Sequence, residues 1–134
     1  MRIRGIGYEG KSIDQFISEL HDAGIELLVD VRANPRSRKP GFGSRQLSAR
    51  CVQIGIEYLG MPSLGIPSAL RRGVRTDEDL ARLFLDYRLK LDGMRSILGG
   101  LARKIGKRSC AIMCFERDEA KCHRKVLLET LQGD

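Results

Sequence analysis

A chain of 134 residues, 42% hydrophobic, is sized for a single domain spanning 1–134 and can bury a core without help from disulfides or metal. No apolar run approaches the ~20 residues a membrane span needs, and the opening MRIRGIGYEG lacks the apolar stretch of a secretion signal, so a cytoplasmic protein with no membrane partner is expected. The net charge of +7 is uneven: from Val31 to Thr76 nine Arg or Lys face one acid, Glu57, a bias that either draws anions such as phosphate, nucleotide or nucleic acid, or only keeps the surface solvated.

Residues 2–7 read as a short strand. The following GIGYEGKS lacks the spacing of a phosphate-binding loop and reads as a turn. Residues 12–24 form an amphipathic helix: Ser12 and Gln15 make a capping box, Ile13, Phe16, Ile17 and Leu20 repeat at helical spacing, and Gly24 suits the C′ position. The branched apolar run 25–31 is a strand buried on both faces, as in parallel sheets. Asn-Pro, Pro-Gly and Gly-Phe-Gly mark 32–45 as a loop. A helix over 44–55, a strand over 56–60 and a second long loop or irregular segment over 61–75 come next; Arg71, Arg72 and Phe42 read as flexible loop surface or as a nucleic-acid contact. Thr76 caps a helix over 77–91, another helix covers about 94–105, a strand runs over 109–116, and a closing helix over 119–132 takes Asp118 as its N-cap.

This order predicts an α/β fold: a small open, mostly parallel sheet of about four strands with helices on both faces. Ligands in such folds gather outside the carboxyl ends of the strands. Four segments lie there: Tyr8–Glu9, Asp30 to Ser37, Gly60–Ser63 and Cys114 to Arg124.

The four cysteines contain no C-x-x-C pair and no secretion signal accompanies them, so free thiols are expected, with Cys110 and Cys51 buried. Strand alternation puts Cys114 and Glu116 on one face. A helical step of about 100° turns His123 and Arg124 inward and Cys122 away. The cluster fits an activated Cys114 thiol, or proton transfer by Glu116 or His123 beside an anion held by arginine. Metal binding by Cys114, Glu116, Cys122 and His123 is a third reading, but adjacent Cys-His is unusual around one tetrahedral ion, and no metal is assigned. At the second strand end, Asp30 needs a partner for its charge, and Arg32 lies on its side of the strand. Either the two form a structural ion pair, with Asn34-Pro35 shaping a turn, or Asp30 orients Arg32, and Arg32, Arg36, Ser37 and Arg124 meet the anion.

Four stretches in order, GIGYEGKSIDQFISEL, GIELLVDVRANPRSRKPGF, GIEYLGMPSLG and CFERDEAKCHR, resemble the bacterial and archaeal domain-of-unknown-function family 488 over nearly the whole chain. The resemblance implies an α/β domain with a pocket shared by the Asp-Val-Arg and Cys…Cys-His-Arg segments, and no established reaction. Members often carry Asp-Pro where this chain has Asp118-Glu119, and many carry His in place of Tyr8.

The functional expectation is an enzyme with an anion-binding pocket for a phosphate- or nucleotide-like small molecule. Its catalytic candidates are Cys114, Glu116 and His123, and its binding candidates are Asp30, Arg32, Arg36, Ser37 and Arg124. Tyr8, Glu9 and Cys122 stand nearby. The alternative is a nucleic-acid-associated module whose basic loops bind phosphates and whose Cys-His cluster is structural; scarce aromatics give little support to base stacking. The sequence leaves both the cofactor and the oligomeric state unassigned.

Overall fold

The computed structural model describes residues 2–118 and 122–132. In chain order the elements are β1 (Arg2–Gly7), α1 (Ile13–Asp22), β2 (Leu27–Asp30), α2 (Ser44–Gln53), β3 (Glu57–Gly60), α3 (Ser68–Arg71), α4 (Asp77–Asp92), α5 (Arg95–Ile105), β4 (Ser109–Cys114) and α6 (Arg124–Gln132). The four strands form one open sheet, ordered β1-β4-β2-β3, and every neighbouring pair is parallel. The α/β expectation therefore holds.

Local chemistry starts α1 where expected. Gln15 N donates to Ser12 Oγ at 3.1 Å and Ser12 N to Gln15 Oε1 at 2.8 Å, the two halves of a capping box. Thr76 Oγ1 accepts from Asp79 N at the start of α4, and three acids in that first turn complement the helix dipole.

Alternating strand residues feed two cores. On one face Phe16, Ile17 and Leu20 of α1 and Leu47 and Cys51 of α2 pack with Leu28, Ala111 and Met113. On the other, Tyr87 and Leu91 of α4, Leu98, Leu101 and Ile105 of α5, and Leu127, Leu128 and Leu131 of α6 pack with Leu27, Val29, Cys110, Ile112 and Cys114. The connection leaving β2 thus packs on one face and the helix after the adjacent β4 on the other. That divergence opens a crevice beyond the carboxyl ends of these two central strands.

Three boundaries differ from expectation, all near this crevice. The loop 61–75 holds a 3-10 turn (Pro62–Leu64) and the short α3. β4 stops at Cys114, so Glu116 is not a strand residue. α6 starts at Arg124, which removes Asp118 as its N-cap and leaves Cys122 and His123 in a bend and turn ahead of the helix. The expected helical residues 119–121 lie outside the described residues. Among the described residues no helix is long and apolar enough to cross a membrane.

Candidate functional site

The end of β2 is built around a buried ion pair. Asp30 and Arg32 are 1% and 7% exposed. Arg32 Nε donates to Asp30 Oδ1 at 2.9 Å and Nη2 to Oδ2 at 2.7 Å, a bidentate pair. The remaining Arg32 nitrogen, Nη1, donates to the Phe42 carbonyl at 2.8 Å and approaches the Tyr8 hydroxyl at 3.4 Å. Tyr58 closes the carboxylate from β3, its hydroxyl donating to Asp30 Oδ2 at 2.5 Å. Burial alone lowers the affinity of Arg32 for its proton; the hydrogen bond and charge of Asp30 outweigh it, and the pKa lies above that of an ordinary arginine. Burial and the bond to Asp30 likewise push the Tyr58 phenol up.

The end of β4 is assembled differently. Cys114 and Cys122 are paired as a disulfide, while Cys51 and Cys110 remain free and buried. The free-thiol expectation fails for the first pair, because the fold brings together two cysteines that sequence spacing keeps eight residues apart. The expectation that Cys122 faces away fails too: it precedes α6, the helical step does not apply in a turn, and it is fully buried. Cys114 Sγ lies 3.0 Å from Arg124 Nη1 and 3.4 Å from Glu116 Oε2. Glu116 pairs with Arg71 through Oε1. Arg71 Nη2 also donates to His123 Nδ1 at 2.5 Å, and His123 Nε2 lies 3.1 Å from the Val31 carbonyl. The ring is therefore the Nε2–H tautomer, donating to Val31 and accepting from Arg71. Burial, then the positive charge of Arg71, lowers the His123 pKa to about 4.

Two glycines permit the close approaches that this geometry needs. A Cβ on Gly7 would stand 1.9 Å from the Glu116 carbonyl oxygen, and one on Gly65 would stand 2.2 Å from the Ala33 backbone nitrogen. Only a residue without a side chain lets β1 lie under the turn after β4, or lets the Pro62–Leu64 turn press on the loop after β2.

Between the two strand ends lies a cleft of about 210 Å³. Tyr8, Arg32, Cys114, Glu116 and His123 all line it, together with Arg71 and Phe115. Asp30 sits behind Arg32, and Cys122 behind Cys114. Arg124 is 1% exposed; it donates to the carbonyls of Glu116 at 2.5 Å and Arg117 at 3.2 Å, bracing the turn rather than facing the cleft. Three candidates stand apart. Arg36 is exposed, with its backbone N–H on Asn34 Oδ1. Ser37 Oγ accepts from Lys39 N. Glu9 is exposed and accepts from Arg117 N. A larger, more apolar cavity of about 320 Å³ shares Ile66 with the cleft and runs between Leu70, Val74, Leu83 and Tyr87, but among the described residues no Cys or His lines it.

Arg71 is the residue that the sequence reading missed. It follows Ser68-Ala69-Leu70, and the short α3 that those residues form carries it over the crevice. Phe42 was also misread: it is fully buried and stacks on Tyr8 with ring centres 4.5 Å apart. A phenylalanine between two glycines next to a basic loop gave no periodicity from which burial could be inferred.

The chain matches the sequence pattern of the family described as "Domain of unknown function DUF488" over residues 12–131. It belongs to the DUF488 family. The matched range includes the segment after β2 and the segment after β4. No curated protein sequence and no solved structure matches the chain.

Proposed function

We propose that the strand-end cleft is the active site of a cysteine-dependent enzyme that takes a small anionic substrate. The observation that carries this reading is the Cys114–Cys122 pair at a cleft whose mouth holds Arg71. Arg71 is the anion-binding group, because its side chain is 28% exposed and, among the described residues, is held by Glu116 and His123. Arg32, closed in by Asp30, Phe42 and Tyr8, shapes the wall beside it.

In the reduced protein Cys114 is the nucleophile. Glu116, 3.4 Å away, takes the thiol proton, and Arg124 supplies positive charge beside the thiolate. The thiolate attacks an electrophilic sulfur or oxygen of the substrate. The bond from that atom to its leaving group breaks, and the leaving group receives the proton from Glu116. Cys122 then displaces the transferred group from Cys114, forming the disulfide. Its proton passes to His123 Nδ1, 3.8 Å away, and on to the departing group once Arg71 has turned to the substrate. The substrate gains the two electrons that the cysteines lose, and an external dithiol restores the pair.

The test compares two disulfide reagents on reduced protein. The anionic dithiobis-nitrobenzoate is expected to oxidise the cleft pair well before Cys51 and Cys110 react, since burial pushes those thiols up to about 11 and about 12. Arg71→Ala is expected to slow that reagent roughly three- to fivefold and to leave neutral dithiodipyridine unaffected. Cys114 reacting no faster than the buried thiols, or both reagents slowed alike, sinks the proposal.

A further inference from the structure

The same corner carries a second property that needs only the reduced pair, not the catalytic reading. The sulfurs of Cys114 and Cys122 and a ring nitrogen of His123 lie within 4.8 Å of one another, and all three residues are buried. We infer that the reduced protein binds one soft divalent cation of the zinc class through Cys114, Cys122 and His123 Nδ1, with Glu116 as the fourth donor.

Four observations support this. The first is spacing. Two ligands of a tetrahedral zinc ion, one sulfur and one nitrogen or oxygen, stand about 3.5 Å apart, given bonds of about 2.3 Å and 2.0–2.1 Å. Cys122 Sγ is 3.8 Å from His123 Nδ1, and Cys114 Sγ is 3.4 Å from Glu116 Oε2. Two edges of the tetrahedron are therefore near their final length, and reduction frees the sulfurs to separate by the third; Glu116, outside the group of three that lies within 4.8 Å, turns toward Cys122 and His123 to complete the set. The second is the backbone. The Cα atoms of Cys114 and Cys122 are 7.6 Å apart, wider than the roughly 4.4–6.8 Å usual for disulfides. Such a span suits two sulfurs meeting on a shared ion.

The third is the histidine. Its Nε2–H is fixed on the Val31 carbonyl, which leaves Nδ1 as the acceptor facing the sulfurs. Metal-bound histidines are oriented in the same way, by donating their other ring N–H to a carbonyl or carboxylate. The fourth is charge. Arg71 already places a cation against both His123 Nδ1 and Glu116. Two thiolates and a carboxylate would add three negative charges, which a divalent ion and the adjacent Arg124 offset. Arg71 is then a competitor that swings out when the ion enters. The expected difficulty of adjacent Cys-His ligands disappears because both residues lie in a turn, where neighbouring side chains are not held a helical step apart.

The experiment titrates Co²⁺ and Zn²⁺ into full-length protein reduced with a phosphine and, separately, oxidised with diamide. The reduced protein is expected to bind one equivalent. Its Co²⁺ form should show tetrahedral visible bands and a sulfur-to-cobalt charge-transfer band of two-thiolate intensity. The oxidised protein should show neither. Cys122→Ser should reduce the band to that of one thiolate and weaken Zn²⁺ by at least the 10- to 100-fold that even outer partners of a metal site cost. Arg71→Ala should bind at least as tightly as the parent. No charge-transfer band in the reduced parent, or an equal band after oxidation, overturns the inference; neither comparison depends on a variant folding. Disulfide-reagent rates measured without metal report on the catalytic reading alone, so either proposal can fail without the other.

Discussion

The two strand ends that face the cleft use the same kinds of residue for opposite ends. Beyond β2, every strong group of Asp30 and Arg32 is closed by a partner: a bidentate pair, a tyrosine hydroxyl and a backbone carbonyl. Beyond β4, a carboxylate, a neutral imidazole, a disulfide and a partly exposed guanidinium share a few ångströms, and Glu116, Arg71 and His123 Nδ1 have partners they can exchange. A saturated buried pair resists change, because separating it leaves a charge without water. A crowded, partly open cluster can alter its contacts at small cost. The β2 end is therefore the frame, and the β4 end holds the groups suited to chemistry.

The contrast can be broken most sharply at Asp30. Asp30→Ala leaves the Arg32 guanidinium buried beside an apolar side chain, and a loss of about 3–5 kcal/mol in urea denaturation is expected. Tyr58→Phe removes one hydrogen bond to the same carboxylate and should cost about 1.5–3 kcal/mol in the same assay. Glu116→Gln should cost within about 1 kcal/mol, since its partner Arg71 is partly solvated. It should nevertheless slow oxidation of the cleft pair measurably. If Glu116→Gln proved as destabilising as Asp30→Ala, the division into frame and reactive corner would fail. Last, replacing Arg36 and Arg38 together by Gln should change stability by no more than about 0.5 kcal/mol. It should also leave the rate with the anionic reagent unchanged, because both side chains are exposed and neither lines the cleft. A marked fall in that rate would move anion binding to the basic loop and revive the nucleic-acid reading.

Much of this arrangement was legible in the chain itself. The strand-helix order and the alternation of Cys110, Ile112 and Cys114 against Ala111 and Met113 have direct chemical signatures, and both are found in the two cores. So does the need of Asp30 for a partner two residues away. What periodicity could not show was where regular structure stops. Extending β4 by two residues and starting α6 early kept Glu116 beside Cys114 but turned Cys122 away, so its pairing was missed. Arg71 was hidden for a similar reason. Its role depends on a four-residue helix too short to leave a repeat, and on Gly65, whose missing side chain lets the preceding turn settle on Ala33. Tyr58 reaches Asp30 only because β3 pairs in register with β2, Asp30 opposite Gly60. No local pattern encodes that register.

The strand order has a consequence for how the molecule comes into being. Among the described strands β4 comes latest in the chain, yet it lies between β1 and β2, which do not pair with each other. During synthesis the earlier strands wait with open edges, and the sheet becomes continuous only when Ser109–Cys114 slots between them. That one event joins the halves of the sheet and delivers Cys114 to the cleft. Until then the nascent chain carries the Asp30 and Arg32 segment without Cys114 beside it, so the cleft is lined on both sides only once β4 is in place.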